Sequence, residues 1–395
     1  MIWLAGRPPA TSYCPMRTSR VVPKPIGWAT CYPFRIMRSI SFVALFLIAL
    51  LQGMGQTADN SKPSLPKDPR EVFAAAAPFY DFSDPALKPW HLKATYQLYD
   101  EKGNPTEQGT WEYWWASPKV HRSSWTRSDA TRTEWWTADG ALYRKESGSP
   151  LRFFERNLES ILLHPLPARS FLDSRMLKLD SKMIAEGQKN LACASATLQM
   201  EYDGKPQLPN SNATERYCFD LSTMALRTTY SGLIGTEYDH VVKIQGRYLA
   251  RQVAILDAAG KQSLFSVSVE TIEWIDSSDA MLSAPADAVL VRAATSQTTP
   301  SRTGGDVMDA ILVTKTAPVY PAIEKMAHEQ GIVVLAAVIG ADGRVHDLEV
   351  LASPSPLLAD SAVDDVKHWE STPYLLNGVA VEVETFVTVI FSLEK

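Results

Sequence analysis

A chain of 395 residues is long enough for two or three domains with buried cores, and a formal net charge of −5 gives no electrostatic basis for a nucleic-acid partner. The charge is uneven. Residues 1–58 hold six basic and no acidic side chains, so the remainder carries −11 and would repel polyanions.

The first 36 residues are rich in Pro and Arg without periodicity, and Met37 offers a conventional start. Arg38 precedes Ile40–Leu51 (ISFVALFLIALL), an unbroken apolar run followed by the small residues Gly53 to Ala58. A run of this length is short for a membrane span, which needs about twenty residues, and fits the apolar region of an export signal. We read 1–58 as upstream sequence and signal peptide, which places the mature chain in the periplasm. An uncleaved inner-membrane anchor facing the periplasm is the competing reading. No Cys lies between Gly53 and Ala58, so lipid attachment there has no nucleophile.

Ser61–Pro69 is a short spacer, and Glu71–Ala77 fits a short helix. Beyond Pro89 the chain becomes strand-dense. Leu92, Ala94, Tyr96 and Leu98 alternate, the chain turns over Glu101–Pro105, and Trp111, Tyr113 and Trp115 alternate on the return. Thr131–Thr137 and Ala141–Arg144 are joined through Asp139-Gly140, a strong hairpin signal. Leu151, Phe154, Leu158, Ile161 and Leu162 fall on one helical face that ends at His164-Pro165. Five more strands are predicted: Tyr217–Asp220, Ala225–Tyr230, Thr236–Ile244, Tyr248–Asp257 and Leu264–Ile275.

About nine strands with few helices over 70–291 imply one large, curved antiparallel sheet with helices covering one face. In layout this is similar to the LolA and LolB family of half-open barrels. That resemblance implies a lipid or acyl chain held between sheet and helices. The consecutive pairs Trp114-Trp115 and Trp135-Trp136, with Trp111, put rings on both faces of their strands. They can line an apolar ligand groove or fill the space under the sheet, and both readings stay open.

Cys14 and Cys31 lie in the leader, which leaves Cys193 and Cys218 as an even pair in an oxidising compartment. A disulfide between them is expected; two buried thiols are the alternative. No C-x-x-C or H-E-x-x-H occurs, and neither a G-x-S-x-G elbow nor a phosphate-binding glycine loop is present. Tyr238-Asp239-His240 sets an acid beside a base, but neighbouring strand residues point to opposite faces. The reading contains no catalytic residue, metal site, cofactor or enzyme activity.

Residues 292–308 are small and polar and read as a linker ahead of a C-terminal domain over 309–395. There Pro318 and Pro321 bracket Val319 and Tyr320, and a short helix follows over Ala322–His328. Gly331–Ile339 and Val345–Leu351 form a hairpin through Gly340-Ala341-Asp342-Gly343. Ser355 caps a helix that begins at Pro356 and buries Leu358, Ala362, Val366 and Trp369. After Pro373, Asn377-Gly378 turns the chain into a closing strand over Val379–Leu393, with apolar residues at alternate positions and Glu382 and Glu384 on the other face.

The ordered series P-x-Y-P, strand-opening Gly, D-G, S-P, a helix ending in Trp, T-P and N-G resembles the C-terminal domain of TonB over about a fifth of the chain. The resemblance implies an α+β unit that docks an outer-membrane transporter or other envelope protein by pairing with an exposed sheet edge. Tyr320, Pro321, Val381, Val383 and Phe386 are the residues placed on such a contact surface, and core packing is the competing role for each. Three functions follow: an exported envelope binding protein that docks a partner, a lipid or lipoprotein carrier using the Trp-rich sheet, and an anchored energy transducer. The last is weakened by the absence of a long Pro-rich spacer.

Overall fold

The computed structural model describes residues 65–393 apart from 67, 101, 168–171, 173–176, 187–188, 199, 203–204, 208–213, 233, 258–259, 261, 294–300, 303–311, 315, 317 and 377–378. The export signal expected within 1–58 and most of the expected linker lie outside the described residues. The first element is α1 (Pro69–Ala76), where Asp68 accepts the Arg70 N–H at 2.9 Å and Pro69 opens the helix.

An antiparallel meander follows through β1 (Trp90–Tyr99), β2 (Pro105–Ser117), β3 (Val120–Arg127), β4 (Ala130–Trp136) and β5 (Leu142–Gly148). Two short helices, α2 (Phe153–Arg156) and α3 (Leu158–Leu163), lead to β6 (Leu177–Glu186) and β7 (Lys189–Leu198). A small hairpin, β8 (Met200–Tyr202) and β9 (Lys205–Gln207), precedes β10 (Thr214–Asp220), β11 (Leu226–Ser231), β12 (Ile234–Ile244), β13 (Arg247–Asp257), β14 (Ser263–Trp274) and β15 (Val289–Arg292).

Thirteen of these strands form one open sheet in the order β15-β5-β4-β3-β2-β1-β14-β13-β12-β11-β10-β7-β6. The expected nine strands are all present; β3, β6, β7 and β15 are additional. β1 and β14 are the seam, pairing from Trp90 with Trp274 to Leu98 with Phe265 and so joining the two halves of the domain. Trp90, Leu92, Ala94, Tyr96 and Leu98 face a buried layer that also holds Phe154, Leu158, Leu162 and Leu163 of the helices. Strand alternation thus gives one sheet face to the helices and the other outward. Asn157 breaks the single helix expected from Leu151 to Leu162, because its side chain bonds the Phe153 carbonyl at 2.7 Å.

The C-terminal region comprises β16 (Ser301–Arg302), β17 (Leu312–Thr314), α4 (Ala322–Ala327), β18 (Gly331–Ile339), β19 (Val345–Ala352), α5 (Pro356–Val366), β20 (Glu370–Ser371), β21 (Tyr374–Leu376), β22 (Val379–Val381) and β23 (Val383–Phe391). Its main sheet has the order β16-β23-β18-β19. Ser355 caps α5 by accepting the Leu358 N–H at 3.2 Å, and Leu358, Ala362, Val366 and Trp369 pack on Leu335, Val387 and Val389. Gly343 turns β18 into β19 at φ +80°, where a Cβ would stand 2.0 Å from the Ser371 carbonyl oxygen. The closing strand expected as one piece is two: β22 pairs with β21, and only β23, beyond Glu382, joins β18.

Cys193 of β7 and Cys218 of β10 are register partners and are joined in a disulfide. It closes a loop of sequence separation 25. Reduction, or Cys193→Ala with Cys218→Ala, should lower unfolding stability in urea by about 3 kcal/mol; an unchanged midpoint under reductant would contradict this.

Candidate functional site

The chemistry of the sheet domain centres on one buried carboxylate. Glu155 of α2 is fully buried and accepts from Tyr96 Oη at 2.5 Å, Arg127 Nη1 at 2.6 Å and the Arg152 N–H at 2.7 Å. Its own carbonyl accepts from Trp125 Nε1 at 2.8 Å. Asp129 accepts from Arg127 Nε at 2.5 Å, a bond that, with Glu155, raises the Arg127 guanidinium further above its ordinary range and holds Asp129 well below the usual carboxylate range. Burial, reinforced by the bond to Glu155, pushes the Tyr96 hydroxyl up. Gly109, opposite Tyr96, leaves room for that ring, since a Cβ there would lie 2.3 Å from it. Tyr96, Arg127 and the Arg152 N–H meet the carboxylate and Trp125 the carbonyl of the same residue, so the group holds α2 on the sheet.

The tryptophans divide by strand register. Trp111, Trp115 and Trp136 lie on the helix-covered face, where Trp90 stacks on Trp115 at 6.2 Å and His121 on Trp136 at 5.6 Å. Burial lowers the His121 imidazole and raises the neighbouring Tyr113 hydroxyl, which donates to Glu159 at 3.2 Å. Trp114 and Trp135 lie on the opposite face beneath residues 280–282, with Trp135 Nε1 donating to the Met281 carbonyl at 3.2 Å. The Arg122 guanidinium lies 4.0 Å from the centroid of Trp114 and 5.5 Å from that of Trp135. The five tryptophans singled out as a groove are therefore not brought together, because adjacent strand residues face opposite ways. Trp111, Trp114, Trp115 and Trp135 are buried in packing.

A cavity of about 850 Å³ opens elsewhere, between α1 and the chain beyond α3. Its lining combines the apolar residues Phe73, Ala74, Ala77, Pro78, Leu166, Pro167 and Leu172 with the ionic residues Asp68, Arg70, Glu71, Asp81 and Arg247. None of the tryptophans is among its lining residues. Phe73 is fixed edge-on to Tyr217 at 5.3 Å, and Arg247 is held by Asp84 at 2.5 Å and by the Asp81 carbonyl at 2.8 Å. The volume lies within the range of small-molecule sites, and the lining is of their kind.

In the C-terminal sheet, Tyr320 packs edge-on to Phe391 at 5.3 Å and donates to the Glu329 carbonyl. Pro321 precedes α4, Val381 ends β22 opposite Tyr374, and Val383 is buried. Phe386 packs on Phe153 of α2 at 4.9 Å. Val383 and Phe386 do not share a surface, since their odd spacing puts them on opposite faces of β23, both turned inward. The outer border of β23 is paired at its start with β16, where Ser301 and Arg302 run parallel to Val383 and Glu384. From Thr385 to Phe391 that border carries no partner strand among the described residues, and neither does the outer border of β19.

Residues 316–393 match the family model of the Gram-negative bacterial TonB protein C-terminal. A solution structure of the Pseudomonas aeruginosa TonB C-terminal domain is 27% identical, covering 21% of this chain and 86% of that one with a TM-score of 0.20. A LolA superfamily protein from Nitrosomonas europaea is 10% identical over 54% of this chain and 97% of its own, with a TM-score of 0.34. A domain of a putative outer membrane lipoprotein-sorting protein from Vibrio parahaemolyticus is 7% identical over 52% and 91%, with a TM-score of 0.32. No curated protein matches the chain. The TonB resemblance read from the sequence thus recurs on the same stretch of chain. Among the described residues no helix is long and apolar enough to cross a membrane.

Sequence reasoning missed the Glu155 group and the cavity. The signal for the first was Arg127, which shares strand parity with Trp125 and so puts a charge among core positions that needs a buried partner.

Two measurements test these assignments. Arg127→Met, which leaves Glu155 without its cation, should cost about 3–5 kcal/mol in urea unfolding, and a loss under about 1 kcal/mol would remove the network from its structural role. Burial also lifts the carboxyl of Glu349 above its usual 4.5, against the lowering effect of the Phe153 N–H, Arg156 and Arg152. A folded carboxyl with a raised pKa favours folding at acid pH, and that contribution is lost as pH rises through the raised value. Glu349→Gln should therefore gain stability relative to wild type as pH rises above 4.5; parallel pH profiles would contradict the assignment.

Proposed function

We propose that this is a non-catalytic binding protein of the bacterial cell envelope that carries an apolar ligand, such as a lipid acyl chain, in the cavity that α1 forms with Leu166, Pro167 and Leu172. The observation that carries this reading is the cavity itself, whose lining combines Phe73, Leu166, Pro167 and Leu172 with the ionic side chains of Asp68, Arg70, Glu71, Asp81 and Arg247. An acyl chain gains by leaving water against the apolar lining residues, while a polar head group can pair with the ionic ones. The match over 316–393 supports a second role in the same molecule: the C-terminal domain docks an envelope partner through a strand border. The borders of β19 and of β23 beyond Glu384 have the backbone geometry for it.

Ala74 lies on the exposed side of α1 and lines the cavity, so a larger residue there fills the space without entering the core. Wild type should bind a fluorescent long-chain fatty acid saturably, and Ala74→Trp should weaken that binding at least about tenfold with thermal stability unchanged. Equal affinity in the two proteins would refute the site.

A further inference from the structure

The face of the C-terminal sheet opposite α5 is not exposed. Val334, Ala336, Leu351 and Ala352 belong to the same buried cluster as the large sheet and its helices. Phe386 lies on Phe153 at 4.9 Å and on Phe154 at 6.5 Å. Three polar contacts converge on the same short stretch. Glu349 Oε2 accepts the Phe153 N–H at 2.7 Å, Arg156 Nε pairs with Glu384 Oε1 at 3.1 Å, and Asn157 Nδ2 donates to Glu384 Oε2 at 2.9 Å. The Arg156 and Glu384 side chains are only 21% and 17% exposed, so water screens this pair weakly.

α2 and α3 have four and six residues, too few to hold a helix without tertiary contacts. α2 is fixed on its inner side by Glu155 and on its outer side by Glu349, Glu384 and Phe386. α3 ends at Leu163, and Leu166 and Pro167 of the cavity wall follow three and four residues later. The contact surface of the C-terminal domain and the cavity lining are therefore connected through α3, with Asn157 and Leu166 nine residues apart along one continuous stretch of chain.

We propose that the C-terminal domain is a latch on this helical layer, a regulatory role that rests on the carrier reading. While Glu349, Glu384 and Phe386 grip α2, the Leu166–Pro167 wall stays in place. A partner that binds the C-terminal domain in an undocked position draws the equilibrium toward a loosened wall, and the cavity exchanges its occupant faster. The coupling is reciprocal, so an occupied cavity also favours the docked domain.

The test uses the full chain and two variants, Glu384→Arg and Phe386→Ala, neither of which alters a cavity residue. Amide hydrogen exchange over 153–163 should accelerate roughly tenfold in both, and a fluorescent long-chain fatty acid should dissociate faster by a similar factor. Exchange in Lys189–Leu198 and Thr214–Asp220 should stay at the wild-type rate, which shows the large sheet intact. Acceleration confined to 331–391, with 153–163 and the dissociation rate unchanged, would overturn the latch. A wild-type protein that takes up no fatty acid sinks the carrier reading and this regulation together, whereas uptake with unaltered dissociation in both variants sinks the latch alone.

Discussion

A carboxylate with no access to water organises the larger domain. Glu155 would be costly to bury alone, and it is tolerated because a guanidinium, a phenol and a backbone N–H meet it within 2.7 Å. The donors come from β1, β3 and the approach to α2, so one acceptor ties three segments together. An apolar residue at this position could pack in several registers of a four-residue helix, but the carboxylate is satisfied in only one. The restriction extends outward. With α2 fixed, Phe154 falls on Phe265 at 5.5 Å, and Phe153 is presented to the C-terminal sheet.

Strands rich in large apolar and aromatic residues were legible in the sequence, and those whose core positions hold polar or small residues were not. β1 and β13 bury apolar residues against the helices and were read directly. β3 has the sequence VHRSSWTR and puts His121, Ser123 and Arg127 on its core face, so its hydrophobic pattern is weak although the strand is central. β7 (KNLACASATL) fails for a different reason. Both of its faces are covered, the disulfide lying on one side and the large-sheet cluster on the other, and small Ala and Cys side chains fill the space. Small residues give no periodic signal. The split at Glu382 depends on long-range pairing, which no local propensity encodes, whereas the break at Asn157 comes from a side-chain bond four residues back that leaves the apolar spacing unchanged.

The cavity was hidden for a related reason. Its wall is built from α1 and from the chain beyond α3, segments far apart in sequence, each contributing ordinary apolar residues. The tryptophans were conspicuous by type, but their register on β2 and β4 consigns them to two different packed layers. On the inner layer they support the helices. On the outer layer Trp114 and Trp135 enclose Arg122 beneath residues 280–282. A residue's identity set how much surface it could bury, while strand parity decided against what.

The C-terminal sheet shows how one small domain can serve two surfaces without conflict. Packing on α2 uses side chains perpendicular to the sheet, and pairing with an added strand uses backbone groups in its plane. The two are geometrically independent at first contact, so an arriving strand need not compete with Phe386. They become coupled at the start of β23. Glu384 offers its carboxylate to Arg156 and Asn157 and lies opposite Arg302 in the two-residue β16 pairing. A strand that extended along the whole border would have to displace Ser301 and Arg302, and it would do so beside the residue whose side chain grips α2. The second position of β23, Glu384, is thus where backbone pairing at the edge and side-chain packing on the face meet in one residue.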